Sequence, residues 1–562
     1  KPDAGSLLVG AFEPNAVPWG HEGVPKDFCF DEIEGHFEQQ MMPVLEDAMA
    51  RVPMLQNVGW RKFFCGPESF TPDDQFHMGE CPELKNFYVA AGLNSIGIQS
   101  SGGLGKALAE WMALGRPTMD LWSNDIRRMY PFQGTQQYIK NRVTETLGLL
   151  YDNHYPFKQM ETSRNVRHSP IHERLVAQNA CFGEVAGWER PNWFAPDGVE
   201  PRYEYSFGKQ NWFEYSAAEH NAFRENVAMF DQSSFSKYLV QGKDSCKCLQ
   251  KICTSNIDVS AGRMVYTHWL NPEGGIQSDL TVTRLEENKY LIVSAAAVTH
   301  KDLNWLAKNI DEDAHCIVTD ITNAWSVFGV MGPNSRALLS DALNHDFSTE
   351  NFPFGDIQPV EVGCATGYAA RVSFVGELGW EIYLPVDMAR HGYDHLWKTG
   401  ESYGLRMAGL HSLDSGRIEK KFLHFGHDVA DDDTPLECGV GFVCDMSKDI
   451  PFIGHDAIAK QKDSDSWKTK RLVQFLLKDP EAMLYHHEPI LRDGKIVGHL
   501  TSGNYGHTLG GSVGLGYIHE HDGVTPDYLS SAEFTIDVGG DRIPADVSLS
   551  AMYDPKAERM RS

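Results

Sequence analysis

The chain has 562 residues, 42% of them hydrophobic and 23% charged, an ordinary globular composition that excludes a disordered, collagenous or coiled-coil chain. At ~150 residues per domain this length suggests three or four domains. Fifty Lys and Arg against 77 Asp and Glu leave a net charge of −27, which opposes sequence-independent binding to nucleic acid or to an anionic membrane but leaves room for a local basic pocket.

The opening stretch, Lys1-Pro2-Asp3-Ala4-Gly5, does not resemble a signal peptide, and no apolar run approaches the ~18 residues that span a bilayer. Cys65-Gly66-Pro67-Glu68-Ser69-Phe70-Thr71-Pro72-Asp73 reads as a loop rich in turn formers. Phe87 to Ala91 reads as a buried strand running into a turn at Gly92 to Gly97. Leu104, Ala107, Leu108 and Trp111 recur at helical spacing, with Gly102, Gly103 and Gly105 expected to open the helix and Gly115-Arg116-Pro117 to close it. A strand, a glycine-rich loop and a helix start in that order present backbone N–H groups to a flat or anionic ligand. A tight turn needs the same glycines, so the motif alone selects neither reading.

Gly187-Trp188-Glu189-Arg190-Pro191-Asn192-Trp193-Phe194 reads as a connection between domains, with a boundary near 195–215. The eleven cysteines are scattered and odd in number. Cys246, Cys248 and Cys253 lack a second ligand pair, so thiols of a reducing compartment are expected rather than a disulfide framework or a zinc site. Beyond the boundary, Leu280 to Leu285 and Tyr290 to Ser294 alternate as paired strands, and helical patterns fall at 300–310 and 410–422. From Arg471 onward, short strands separated by Arg492-Asp493-Gly494 and Gly539-Gly540-Asp541 suggest a small, mostly β terminal domain.

Three places can carry chemistry. Asp279 stands at the entrance of a strand after the turn Asn271 to Gly275, where a carboxylate either faces a pocket or caps the turn. Glu377 and Glu381 lie four apart in Phe374-Val375-Gly376-Glu377-Leu378-Gly379-Trp380-Glu381; the glycines suggest a bend that takes one into the core, with Glu377 expected on the outer face. His424 and His427, and the pair His486 and His487, have no third ligand in view and read as hydrogen-bonded histidines. No metal site is expected.

Taken in order, the Gly66-to-Asp73 loop, the Ala91-to-Trp111 segment, the Gly187-to-Phe194 stretch, Gly274 to Leu285 and Phe374 to Ile382 resemble one family. It is that of the mitochondrial sarcosine and dimethylglycine dehydrogenases, flavoproteins fused to a folate-binding domain similar to the aminomethyltransferase (T-protein) of the glycine cleavage system. The sarcosine branch is the more similar. The resemblance implies an α+β chain: a partial FAD-dependent, amine-oxidase-like oxidoreductase domain (1–125), a connecting or middle domain (126–210), a T-protein-like folate-binding domain (211–460) and a C-terminal β-barrel (461–562). It implies FAD and tetrahydrofolate as cofactors, oxidative demethylation of an N-methylated glycine (sarcosine or dimethylglycine), and a mitochondrial matrix location.

On the same resemblance, Asn94, Ser95, Gly97, Ile98, Gly102, Gly103 and Gly105 lie along the flavin. Asp279 is the catalytic carboxylate beside the reactive folate nitrogen, Glu381 accepts from the pterin edge, and Tyr266 and Phe374 line the folate pocket. Phe374 stands where the T-proteins have a tyrosine, and Leu413 where they have an arginine. The family's dinucleotide fingerprint belongs to a region before the counterpart of Lys1, so a longer precursor or a companion chain is expected to supply it. The alternatives are a non-catalytic regulatory or scaffold subunit similar to that of pyruvate dehydrogenase phosphatase, and a flavin-independent aminomethyltransferase.

Overall fold

The computed structural model describes every residue except Lys1, Ala4, Asp31, Glu32 and Glu34, and for Pro2 and Asp3 the backbone alone. The chain divides into two units, one of residues 1–117 and 123–164 and one of residues 118–122 and 165–562.

In the first unit, α1 (Met42–Arg51) precedes an antiparallel pair, β1 (His77–Glu80) and β2 (Tyr88–Ala91), followed by α2 (Gly97–Leu114) and α3 (Gln136–Leu149). Strand, turn and helix follow in the expected order, but the reversal happens earlier than the glycines suggest. Asn94 and Ser95 adopt left-handed φ values of 45° and 63°. The Asn94 amide holds that turn by accepting from Thr71 N–H at 2.8 Å and donating to Thr71 Oγ1 at 3.1 Å. The helix can therefore begin at Gly97, and Gly102, Gly103 and Gly105, expected to open it, lie inside it. Its end is as expected: Gly115 at φ 74° donates to the Trp111 carbonyl in a left-handed cap.

After a short strand (Arg167–His168) and a helix (His172–Ala177), the second unit carries an antiparallel pair, β3 (Ala180–Val185) and β4 (Trp188–Phe194). The stretch read as a connection is thus a strand, because Trp188, Trp193 and Phe194 are buried and strand pairing satisfies their backbone. The chain continues through α4 (Phe213–Glu225), β5 (Ala228–Asp231), β6 (Ser236–Gln241), α5 (Ser245–Ile252), β7 (Arg263–Leu270), β8 (Ile276–Glu286), β9 (Lys289–Ser294), α6 (Thr299–Asn309) and β10 (Ile317–Asp320). Then come β11 (Trp325–Met331), α7 (Ser335–Leu343), β12 (Ile357–Val362), β13 (Ala365–Ala370), β14 (Gly379–Pro385), α8 (Ala389–Gly400), β15 (Arg406–Met407) and α9 (Leu410–Glu419).

These strands make two sheets. One runs β7-β8-β9-β6-β10, all antiparallel; the other runs β12-β13-β14-β11-β5-β15, with only the edge pair β15 and β5 parallel. Alternation gives each strand two faces. In the first sheet Val240, Trp269, Leu280, Val282 and Ile292 cluster with Leu249 of α5 and Leu306 of α6. In the second, Phe328, Val330, Trp380 and Ile382 cluster with Leu338 of α7 and Leu396 of α8. The opposite faces meet each other: Met264, Leu291 and Val293 of the first sheet and Val327, Ala370 and Tyr383 of the second form one cluster. Burying each such side chain contributes roughly 1.5–3 kcal/mol. Polar residues sharing those faces therefore point into the layer between the sheets.

Six further strands, β16 (Lys470–Leu477), β17 (Pro489–Arg492), β18 (Lys495–Gly506), β19 (Gly511–His519), β20 (Phe534–Val538) and β21 (Asp541–Ser548), close a barrel in the order β16-β19-β18-β17-β20-β21. Its tight hairpins fall at Asp493-Gly494 and Gly539-Gly540, as the sequence suggests. The barrel backs α9: Gln474 Nε2 donates to the Ile418 carbonyl at 2.6 Å, and Thr508 N–H donates to Glu419 Oε1 at 2.8 Å. All eleven cysteines are free, and no described helix is long and apolar enough to cross a membrane.

Candidate functional site

The turn before β8 fixes where Asp279 stands. Asn271 Oδ1 accepts from the N–H groups of Glu273 and Gly275, while its Nδ2 donates to the Asp431 carbonyl. Gly275 is required there, since a Cβ would lie 1.9 Å from the Asp431 oxygen. Four residues into the strand, Asp279 pairs across the ladder with His268, and Tyr266 pairs with Thr281. Tyr266, His268, Asp279 and Thr281 thus share the face that carries Met264 and Val293 into the inter-sheet layer. Asp279 is a strand residue here and not a turn cap.

Tyr266, His268 and Asp279 form a connected group. The Tyr266 hydroxyl lies 3.0 Å from His268 Nε2 and bonds the Asp279 carboxyl. His268 Nε2 is 3.8 Å from Asp279 Oδ1. Burial drives the His268 pKa down to about 3, so the imidazole is neutral and that contact is not an ion pair. Burial raises Asp279 to about 7, against the Tyr266 hydrogen bond that lowers it, with the Asp428 charge adding to the rise. An aspartate poised near neutrality, beside a tyrosine that is 37% exposed as a residue, can exchange a proton at physiological pH. His268 was not anticipated; the every-second-residue spacing of Tyr266 and His268 on an alternating strand is the signal that finds it.

Glu381 occupies β14, flanked by Gly329 of β11 and Ala370 of β13. It shares a face with Tyr383, so it too points into the inter-sheet layer. Only 8% of it is exposed. Burial raises its pKa, while the Tyr383 hydroxyl, donating to Oε2 at 2.6 Å, and the Lys237 charge lower it. Asp279 and Glu381 therefore belong to the facing sides of two sheets, more than 100 residues apart in sequence. Phe374 packs against the apolar cluster of Phe230, Met331 and Leu413, so the two positions that depart from the T-protein pattern lie together in an apolar patch.

Glu377 is not on the outer face. It is 1% exposed, and its carboxylate accepts from Arg224 at 3.0 Å, the Tyr553 hydroxyl at 2.6 Å and Arg559 at 2.6 Å. Gly376, at φ 77°, turns it inward. Arg224 also donates to Glu419 at 2.8 Å, so two buried carboxylates share one guanidinium. His424 and His427 lie ring to ring at 4.5 Å, both held below their ordinary pKa chiefly by burial. Among the described residues no group of three or more His, Cys, Asp or Glu side chains gathers as metal ligands.

In the first unit the Asn94 side chain is committed to Thr71. Ile98 is 99% exposed at the start of α2, and Gly102, Gly103 and Gly105 have open space where a side chain would stand. The first turns of α2 are therefore accessible, with bare backbone at Gly102, Gly103 and Gly105, while Asn94 serves the turn before them.

Family models match nearly the whole chain: FAD dependent oxidoreductase at 1–111, its central domain at 114–169, the GCVT N-terminal domain at 171–448 and the glycine cleavage T-protein C-terminal barrel domain at 470–554. The chain is 43% identical over its full length to 4-methylaminobutanoate oxidase (formaldehyde-forming) from Paenarthrobacter nicotinovorans, covering 66% of that protein. It is 34% identical to the mitochondrial pyruvate dehydrogenase phosphatase regulatory subunit and 33% identical to the mitochondrial sarcosine dehydrogenase, both from Mus musculus, over 97% and 99% of this chain and 64% of each relative. It thus spans a little under two-thirds of these relatives. The aminomethyltransferase of Halothermothrix orenii is 34% identical over 55% of this chain and 84% of its own length. The chain belongs to the family that joins an FAD-dependent oxidoreductase part to a glycine-cleavage T-protein module, the family of the sarcosine and dimethylglycine dehydrogenases.

Proposed function

We propose that the protein accepts the one-carbon unit of an N-methylated amino acid onto tetrahydrofolate, as the folate-binding portion of an oxidative demethylase. The observation that carries this is the pair of buried carboxyls on facing sheets, Asp279 near neutrality and Glu381 with accepting capacity left. Residues 211–460 hold the folate in this reading, 461–562 form the barrel behind it, and 1–125 with 126–210 contribute the oxidoreductase part.

Glu381 meets the parallel N–H donors of the pterin edge, which orients the ring. Tyr266 and Phe374 close on the ligand from the open side. Asp279 holds the reactive folate amine and takes its proton as that nitrogen forms a C–N bond to the methylene carbon of the iminium. A second folate nitrogen bonds the same carbon as the original C–N bond breaks, and the amino acid leaves as an ammonium carrying the two protons that the two folate nitrogens give up. A carboxyl of pKa about 7 both takes and returns a proton in one turnover. FAD would be held in the first unit by Ser95, Gly97, Ile98 and the α2 glycines, and would supply the acceptor for the hydride lost from the N-methyl carbon.

Calorimetric titration with tetrahydrofolate tests the reading: binding is expected in the native protein and lost in Glu381→Ala. A second reading, a non-catalytic regulatory subunit, is favoured by the phosphatase-subunit relative, and indifference of the native protein to folate selects it.

A further inference from the structure

Gln232 lies one rung beyond the last paired residue of β5. Its N–H donates to the Val327 carbonyl at 2.9 Å, extending the ladder in which Phe230 pairs with Gly329 and Asp231 with Phe328. Its side chain therefore falls on the face shared by Phe230, Gly329 and Glu381. The position is fixed more closely by Gly329: a Cβ there would lie 2.3 Å from Gln232 Oε1 and 3.1 Å from its Cδ. The carboxamide thus fills the space above Gly329, the residue directly paired with Glu381. Gln232 is 1% exposed, yet among the described residues neither Oε1 nor Nε2 has a hydrogen-bond partner.

A buried carboxamide with both ends unspent is costly, and native structures rarely tolerate one without a ligand or water to meet it. Here it sits beside a carboxylate that Tyr383 alone, among the described residues, meets with a hydrogen bond. The two groups together present an acceptor pair next to a donor and an acceptor. A planar heterocycle with two parallel N–H donors on one edge and an adjacent donor–acceptor pair on the next fills that pattern.

We propose that Gln232 is a second ring-reading side chain of the folate site and that it selects the reduced pterin. This rests on the folate reading above. Reduction of the pyrazine ring turns its nitrogens from lone-pair acceptors into N–H donors. Against the reduced ring the carboxamide oxygen accepts from such an N–H while the amide NH₂ donates to the neighbouring acceptor. Against the oxidised ring the same oxygen faces a lone pair, and turning the amide to avoid it leaves the other contact mismatched. Glu381 cannot make this distinction, because the pyrimidine edge it reads is the same in both oxidation states.

The test is titration of native protein, Gln232→Met and Glu381→Ala with tetrahydrofolate and, separately, with folic acid, each variant also being checked for its melting temperature. Native protein should prefer tetrahydrofolate. Gln232→Met should weaken tetrahydrofolate ~10-fold, leave folic acid within about 2-fold and keep or raise the melting temperature of the unliganded protein, since methionine fills the same volume without unpaired polar atoms. If Gln232→Met shifts both ligands equally or neither, while Glu381→Ala still abolishes binding, the inference fails and the folate reading stands. If native protein binds neither ligand, the folate reading itself fails and takes this one with it.

Discussion

Replacing Asp279 by Asn removes a titrating group without changing its shape. Burial raises the folded-state pKa from 3.8 to about 7, so between those values the folded protein binds more protons than the unfolded chain. Stability therefore falls as pH rises through that window, by about 1.4 kcal/mol per pH unit, and levels off above pH 7. From pH 5.5 to 8 the native protein should lose about 2 kcal/mol relative to Asp279→Asn from this group alone. Asn keeps an acceptor for the Tyr266 hydroxyl, so the two proteins should be nearly equal at low pH. Urea midpoints measured for both across pH 5.5 to 8.5 would show a gap that opens towards pH 7 in favour of Asn and then stays constant. A gap independent of pH would refute the claim that the site holds this carboxyl near neutrality.

Other perturbations follow from the same contacts. Arg224→Met leaves Glu377 and Glu419 buried without their shared cation, and should cost about 3–5 kcal/mol in urea unfolding. Gly275→Ala drives a Cβ into the Asp431 carbonyl and should cost about 1–3 kcal/mol, with a weaker folate site because the turn that places Asp279 must shift; melting and titration read the two effects. Tyr383→Phe removes the donor that lowers the Glu381 pKa. Tetrahydrofolate binding should weaken roughly 5- to 10-fold, and its rise with pH should move to higher pH, which titrations at several pH values would show.

Much of the secondary structure is legible locally. The alternation from Leu280 to Ser294, the helical spacing at 410–422 and the two glycine hairpins of the barrel depend on neighbours in sequence, and each appears in the fold. Where partners are distant, local reading fails. The start of α2 is set by Thr71 clasping Asn94, 23 residues on. Glu377 looks like a surface charge until Arg224, Tyr553 and Arg559 are brought to it. Asp279 and Glu381 each stand out as a lone carboxylate, but that their sheets face one another follows from a register no single segment contains. The resemblance to the folate-dependent dehydrogenases was carried by ordered motifs, whereas His268 and Gln232 gain meaning only from the faces they share.

The most direct test is the affinity of the purified chain for tetrahydrofolate by isothermal titration calorimetry, with Glu381→Ala alongside. One binding site in the native protein and none in the variant is the predicted result. Equal heats in both, or no binding in either, would contradict the assignment of the inter-sheet carboxyls to folate.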